Sequence, residues 1–453
     1  MKRSTNSGPN RTGRHFATAL LATALLGAST AACDGILDVE LPGELTEGDL
    51  IRPDMAPVMV NSAIADFECA FSEFVASIAG LEDVFWESTG WFTRAWAEYQ
   101  VQATNAGVNT LRCGTSDTSS GFFQSFQSAR FQAEQAYEAI QGFDAGDVRN
   151  RDQLLATAAV YAGLTYQIFG EHWCEMTVDL GPALTPQQTL GLGEEWFDRA
   201  LGHLGSTGDF DSPTTPSMQQ LAHLGRARVR FAQGDLQGAA SDANQVQPGF
   251  TAWVTRDGNV RPRWNQVFQH HTRNQYSTVA DTVWHQGRMV SPGYRNATID
   301  GQGNTTHGDG VPDPRVPVEF TGGVGQDGVT PHWIQTKYPG HSSDIPLARW
   351  AEAQLILAEI EGGQAAVDRI NGLRDVHGLP HFQASDPAAI QGQIMEERRR
   401  EFFYEGRFHA DKLRYDLWFP RGEGFNHKGM AYGTTTCLPL ADAERVNNPN
   451  LAR

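Results

Sequence analysis

Apolar side chains recur at intervals of three and four residues along much of this chain, the spacing that places them on one face of a helix. Clear stretches run from 122 to 140 and from 154 to 169. Each is followed by a glycine, Gly142 and Gly170 respectively, and helices commonly end at glycine. The pattern therefore predicts long helices in both places.

Two further segments have the pattern of a helical hairpin. In 221–246 an apolar face is broken at 233–235, which reads Gln-Gly-Asp, and then resumes. In 347–373 the break is Gly362-Gly363. Both resemble tetratricopeptide units, which are about 34 residues long, but they are not in tandem. We therefore predict a mainly α-helical frame, about 50–278 and 344–453, with a long insertion.

The insertion, 279–343, has a different composition. No long helix can persist among its glycines and prolines. Aromatic residues argue against disorder, because they need a surface to pack on. We therefore predict an irregular, loop-rich cap over the helical frame. The glycines are Gly301, Gly303, Gly308, Gly310, Gly322, Gly323, Gly325 and Gly328, and the aromatic residues include Trp284, Tyr294, Trp333 and Tyr338.

The N-terminus has the pattern of an export signal. Positive charges precede an apolar stretch, 16–27, which is too short to span a bilayer. Small residues at 29–32 then lead to Cys33, the order of a bacterial lipobox. We predict a lipoprotein signal peptide at 1–32 and lipidation of Cys33; the alternative is an ordinary signal peptide cut near Ala32. The positive residues are Lys2, Arg3, Arg11 and Arg14.

The charge of the chain excludes some classes of partner. Its formal net charge is −18, and removal of 1–32 would make it more acidic still. Nucleic acids and anionic lipid surfaces both attract clustered Lys and Arg, so neither is an expected partner. Hydrophobic residues make up 40% of the chain, which indicates a globular body. Membrane attachment would then come through the lipid.

The segment 395–418 concentrates charged and aromatic residues. Glu396 and Arg400 have the i,i+4 spacing of a helical ion pair, and 402–404, which reads Phe-Phe-Tyr, would bury the remaining face. A charge run is most often a solvated helix face, and that interpretation stays open here.

The same run resembles the C-terminal signature of the SusD/RagB family of outer-membrane nutrient-binding lipoproteins. It departs from that signature at Phe408, His409 and Lys412, where the family usually has Arg, Trp and Leu. Downstream, 438–450 resembles the closing element of the family. The matching positions are Glu397, Arg398, Arg399, Arg400, Glu401, Glu405, Gly406, Asp411 and Arg414.

The resemblance implies a SusD-like fold over 33–453, in which these segments hold the scaffold together and do not contact ligand. It implies a surface lipoprotein, not an enzyme, that captures glycan or peptide for a SusC-like TonB-dependent transporter without a cofactor. Two alternatives remain. One is a secreted hydrolase with unrecognised paired carboxylates, and the other is a helical-repeat scaffold that binds only proteins.

Aromatic residues outside the helical faces are the candidates for ligand contact. Trp96 lies on a helical stripe with Phe92 and Tyr99, so we predict it to be core. Trp86 and Trp91 fall off that stripe and have no obvious buried face. Packing in the core is the alternative for each, since large aromatics are usually buried. The predicted ligand platform is Trp86, Trp91, Trp333 and Tyr338.

Cysteine usage suits an oxidising compartment. With Cys33 lipidated, four cysteines remain, which allow three connectivities. We favour Cys69 with Cys113, which flank the same early helical segment, and then Cys174 with Cys437 by elimination. Four free thiols are the alternative.

Motifs for metal binding and catalysis are scarce. There is no Cys-x-x-Cys spacing, and the common hydrolase, nucleotide and zinc-protease motifs are missing. The adjacent His270 and His271 diverge in regular structure. The loop 300–304 has oxygen ligands but lacks the spacing of a calcium-binding EF-hand. The sequence therefore predicts no metal site.

Overall fold

Helices make up most of the frame in the computed structural model, which describes residues 51–90, 93–104, 113 and 121–451. Trp91 and Cys33 lie outside these described residues. The α-helices are α1 (Ala56–Ile78), α2 (Thr93–Ala97), α3 (Phe123–Gly142), α4 (Arg151–His172), α5 (Pro186–Thr207), α6 (Met218–Gln233), α7 (Leu236–Ala243), α8 (Trp350–Glu361), α9 (Gly363–His377), α10 (Pro387–Glu401), α11 (Phe408–Arg414) and α12 (Asp442–Asn447). Short 3₁₀ turns occur at Pro53–Met55 and Arg261–Arg263, and a π-helical turn at Phe268–Arg273. The fold is mainly α, as the apolar spacing predicts.

Short antiparallel strands supply the rest of the regular structure. They are β1 (Phe85–Glu87), β2 (Thr251–Val254), β3 (Ser277–Val279), β4 (Val283–His285), β5 (Arg288–Ser291), β6 (Ala297–Ile299), β7 (Thr305–His307), β8 (Val311–Pro312), β9 (Val318–Val324), β10 (Pro331–Gln335) and β11 (Ile345–Arg349). The pairs are β1–β3, β2–β11, β4–β5, β6–β7, β6–β8 and β9–β10. Most of these strands lie in 279–343, a range that is described throughout and contains no helix.

The helix boundaries follow from local capping. Helix α5 begins with a capping box, in which the Thr185 hydroxyl accepts from the Gln188 amide and the Gln188 side chain accepts from the Thr185 amide. Helix α6 ends at Gly234, whose φ of 86° is the left-handed conformation that glycine tolerates best. Helix α7 then begins two residues later, which makes the hairpin that the sequence predicts.

An aromatic cluster forms the centre of the core. Phe74 of α1 packs against Phe122, Phe126 and Trp173, with ring centroids 5.7 to 6.4 Å apart. Trp96 is 2% exposed and packs on Phe122 at 5.7 Å. Its helical spacing therefore predicted its core position correctly. The cluster joins α1, α2, α3 and α4 through side chains that are far apart in sequence.

The charged run of α10 is buried, so a solvated helix face is the wrong interpretation of it. Glu397 and Arg400 are each 0% exposed. The expected contact between Glu396 and Arg400 is present at 3.4 Å. The other charges reach across the fold instead, because a buried charge is stable only with a partner.

Glu397 and Glu401 are the acidic centre of this network. Glu397 accepts from Arg374 at 2.6 and 2.9 Å and also pairs with Arg315. Glu401 pairs with Arg349 at 2.6 Å and with Arg315 at 3.4 Å. Burial alone would raise the pKa of Glu401, but the guanidinium of Arg349 holds it well below its usual value. We name these five residues the α10 network.

Arginines of the same helix bind backbone carbonyls of the insertion. Arg399 donates to the Gly293 carbonyl at 2.8 Å. Arg400 donates to the carbonyls of Thr298 and Thr306 at 2.8 and 3.1 Å. These bonds attach the segment around β6 and β7 directly to the helical frame.

The structure contains two disulfides. Cys69 is bonded to Cys113, with Cα atoms 5.8 Å apart, and Cys174 to Cys437, with Cα atoms 5.2 Å apart. The second joins the end of α4 to the C-terminal segment across 263 residues of sequence.

Removal of the Glu397 charge tests the α10 network. We expect Glu397→Gln to lower the free energy of unfolding by roughly 3 to 5 kcal/mol, because it leaves buried guanidinium groups without their partner. Urea unfolding measures this change. The control is Glu361→Gln, which removes a partly exposed pair with Arg369 and should cost less than about 1 kcal/mol. Equal losses in the two variants would contradict a central role for the network.

Candidate functional site

Two of the predicted platform residues, Trp86 and Trp333, adjoin the same residue, Thr278. Trp86 of β1 pairs with Thr278 of β3. The Trp333 amide of β10 donates to the Thr278 hydroxyl at 2.9 Å, and that hydroxyl donates to the Pro331 carbonyl at 2.7 Å. Both indole rings are half-buried, so part of each remains accessible.

A guanidinium group links the two indoles. The Cζ atom of Arg295 is 4.8 Å from the Trp86 ring centroid and 5.6 Å from that of Trp333, which are cation–π distances. Its Nε donates to the Val279 carbonyl at 2.7 Å, and Asp281 lies 3.6 Å away. Arg295 is therefore a positioning residue for both rings.

Two more rings extend this surface. His427 stacks on Trp86, with centroids 4.6 Å apart and planes 13° from parallel. Phe320 packs beside Trp333 at 5.1 Å and is 44% exposed. We name these five side chains the aromatic platform: Trp86, Trp333, Arg295, His427 and Phe320.

Buried polar contacts hold the loop that carries His427. Asn426 donates to Glu87 at 3.0 Å and to Glu98 at 3.1 Å, and Lys428 pairs with Asp327 at 2.6 Å. Desolvation, together with the positive charges of Lys428 and Arg295, lowers the pKa of His427 to about 4. His427 is therefore neutral at pH 7 and presents an uncharged ring.

Tyr338 is a correction to the predicted platform. It is 2% exposed, and its hydroxyl donates to the Tyr404 carbonyl at 3.0 Å. The ring therefore packs in the core beneath the insertion. The sequence could not separate it from Trp333, since both are aromatic residues in the same glycine-rich region.

Other residues at the site carried no signal in the sequence. Arg295 and His427 lie far apart along the chain and in no recognisable motif, so sequence reasoning does not find them.

Comparison with known proteins identifies the family. The SusD family model matches residues 230–451. The fold matches a SusD-like carbohydrate-binding protein from Bacteroides vulgatus with a TM-score of 0.61 and 14% identity, covering 88% of this chain and 97% of that one. A SusD superfamily protein from Bacteroides fragilis matches with a TM-score of 0.63 and 14% identity, covering 90% and 100%. The chain belongs to the SusD family.

Two relatives of this SusD-family protein have named ligands. The starch-binding protein SusD of Bacteroides thetaiotaomicron is 32% identical over 127 residues, which cover 26% of this chain and 22% of that protein. The chain thus matches about a fifth of the length of this curated relative. A laminarin-binding SusD-like protein has a TM-score of 0.55 and 16% identity, covering 88% of this chain and 98% of that one.

The described residues contain neither a group of metal ligands nor a membrane-spanning helix. In that part of the chain no three His, Cys, Asp or Glu side chains are grouped to hold a metal ion. His271 instead contacts the Ala76 carbonyl through Nε2 at 2.8 Å. Across the same residues, every helix is too short or too polar to cross a bilayer.

Glu87 gives a pH-dependent test of the site. Burial raises its pKa to about 7, against a usual 4.5, so the fold loses stability as pH rises from 4.5 to 7, and the full loss persists above pH 7. We expect Glu87→Gln to exceed the wild type in free energy of unfolding by about 2 to 3 kcal/mol at pH 8. The difference should shrink as pH falls through 7 and vanish below 4.5. Urea unfolding at pH 5 and pH 8 measures it.

His427 lies 3.9 Å from Glu87, and with its pKa lowered to about 4 it is neutral at pH 8, so the comparison at that pH reports the Glu87 charge. A Glu87→Gln variant less stable than the wild type at pH 8 would mean that the contacts of Glu87 with Lys428 and Asn426 outweigh its desolvation.

Proposed function

We propose that this SusD-family protein binds glycan on the aromatic platform and delivers it to a TonB-dependent outer-membrane transporter. The observation that carries the proposal is the placement of two partly accessible indoles, Trp86 and Trp333, around one guanidinium. Exposed aromatic surface rimmed by polar groups is typical of an interaction site.

The chemistry of the platform suits a sugar. The C–H face of a pyranose packs on an indole, while its hydroxyl groups need hydrogen-bond partners at the edge. Asp281 and Asp327 supply carboxylates there, and Lys428 supplies an ammonium group. Binding of this kind needs no cofactor and no bond cleavage. Peptide side chains could use the same rings, but the named relatives favour glycan.

The ligands of the named relatives indicate which glycans to test first. One is described as starch-binding and another as laminarin-binding, and both polymers are glucans. We infer that α- or β-glucan fragments are the first candidates. The location at the outer membrane and the SusC-like partner rest on the lipobox and on the family.

Truncation of Trp86 tests the platform. We expect Trp86→Ala, and separately Trp333→Ala, to weaken oligosaccharide binding by about tenfold to a hundredfold, because each removes accessible ring surface whose burial by sugar is worth about 1 to 3 kcal/mol. Isothermal titration calorimetry with maltooligosaccharides and laminarin oligosaccharides measures the affinity.

Trp253→Ala is the matched control, since Trp253 is 39% exposed and is not part of the platform. It should leave binding unchanged. If Trp253→Ala weakens binding while Trp86→Ala and Trp333→Ala do not, the platform is the wrong site.

The anchor has its own test. Replacement of Cys33 by Ala removes the predicted site of lipidation, so we expect the protein to leave the outer-membrane fraction and appear in the soluble fraction after a high-salt wash. Cell fractionation and immunoblotting measure the distribution. Retention of the variant in the membrane pellet would show that something other than lipid holds the protein there.

A further inference from the structure

A cavity of about 340 Å³ lies among the helices of the frame, apart from the aromatic platform. Its walls come from the end of α4, the first turn of α5, and parts of α6, α8, α10 and α11. None of the platform residues lines it. Four arginines face three carboxylates across it: Arg228, Arg398, Arg407 and Arg414 against Glu171, Glu352 and Asp411.

Every carboxylate of this cavity already has partners. Glu171 accepts from Arg407 at 2.9 Å. Glu352 pairs with Arg407 at 3.1 Å and also with Arg228. The remaining acid, Asp411, accepts hydrogen bonds from Arg398 and Arg414.

Asp411 accepts from Arg398 through one oxygen, at 2.7 Å, and from Arg414 through the other, at 3.0 Å. The acceptors of the wall are thus occupied by the arginines around them.

Donors remain unused in the same wall. Arg398 Nη1, Arg407 Nε and Trp173 Nε1 are buried, and in the part of the chain that the structure describes they have no hydrogen-bond partner. Arg398 is 3% exposed and Arg407 is 6% exposed. Buried donors of this kind are normally satisfied. The residues that line the cavity therefore carry more donors than acceptors, and four positive charges against three negative ones, the complement of an anionic group that only accepts hydrogen bonds.

Two other features of the wall bear on the ligand. The first turn of α5, Pro186 and Gln187, lies at the cavity, and a helix N-terminus carries positive potential. Leu190, Phe231 and Ile356 add apolar surface. The volume lies at the lower end of the range of small-molecule sites.

We propose that this cavity binds a small carboxylate-bearing ligand of monosaccharide size, with hexuronic acids as the representative class. The carboxylate pairs with the arginines of the wall, which outnumber its acids four to three, and the body of the ligand packs on the apolar wall. The site is independent of the aromatic platform and of the function proposed for it.

Glucuronate and glucose form a matched pair of probes, because they differ only in the carboxylate. We expect sodium glucuronate to raise the Tm of the wild-type protein saturably by a few degrees, with sodium chloride keeping the ionic strength constant. Glucose at the same concentrations should produce no shift. Equal shifts from both sugars, or no shift from glucuronate, would overturn the proposal.

Gln187→Glu locates the site without disturbing the core. Gln187 is exposed at the first turn of α5, where an acidic residue suits the helix dipole, so the ligand-free Tm should not fall. The added charge should weaken glucuronate binding at least tenfold. Arg398→Gln should abolish binding if the variant folds.

Arg369→Gln is the matched control, because Arg369 lies on α9, pairs with Glu361 and does not line the cavity. It should leave the glucuronate shift unchanged, as should Trp86→Ala. An undiminished shift in Gln187→Glu would overturn the assignment to this cavity. Loss of the Tm shift in Trp86→Ala would indicate that glucuronate binds at the aromatic platform, and it would also overturn the assignment to this cavity.

Discussion

The burial of ionised groups on α10 is the constraint on which the rest of the structure depends. Burial of a carboxylate or guanidinium destabilises the folded state unless the group is paired and hydrogen-bonded. The partners of Glu397 come from two directions: Arg374 from the neighbouring helix α9, and Arg315 from the insertion. Glu401 likewise pairs with Arg349 at the end of β11. These charges all have partners only when the insertion packs against the helices.

The same helix connects the scaffold to the aromatic platform. Arg399 donates to the carbonyl of Gly293, two residues before Arg295. Gly293 allows a close approach of backbone, since a Cβ atom there would lie 2.4 Å from the Asp281 carbonyl carbon. The chain then places the Arg295 guanidinium beside both Trp86 and Trp333. A charge run remote from the aromatic platform thus helps to position it.

The sequence pattern predicted the features of the fold that depend on residues close together in the chain. Apolar spacing predicted the long helices, and the glycines at 234 and 362 predicted where the hairpins turn. Burial of the α10 charges is a long-range effect, because Arg315 is 82 residues from Glu397, and only the family signature indicated a scaffold role. Tyr338 and Trp333 are equivalent in the sequence; contact with Tyr404 buries the first, and that contact has no local signal. His427 reaches Trp86 across most of the chain, which no periodicity can indicate.

We propose that the insertion and the N-terminal strand β1 meet to form one ligand surface, positioned by α10. A crystal structure with the tightest-binding glucan oligosaccharide tests this proposal most directly. We expect sugar rings in van der Waals contact with both Trp86 and Trp333 and hydroxyl groups bonded to the polar rim. Ordered oligosaccharide elsewhere on the protein, with both indoles uncontacted, would contradict it.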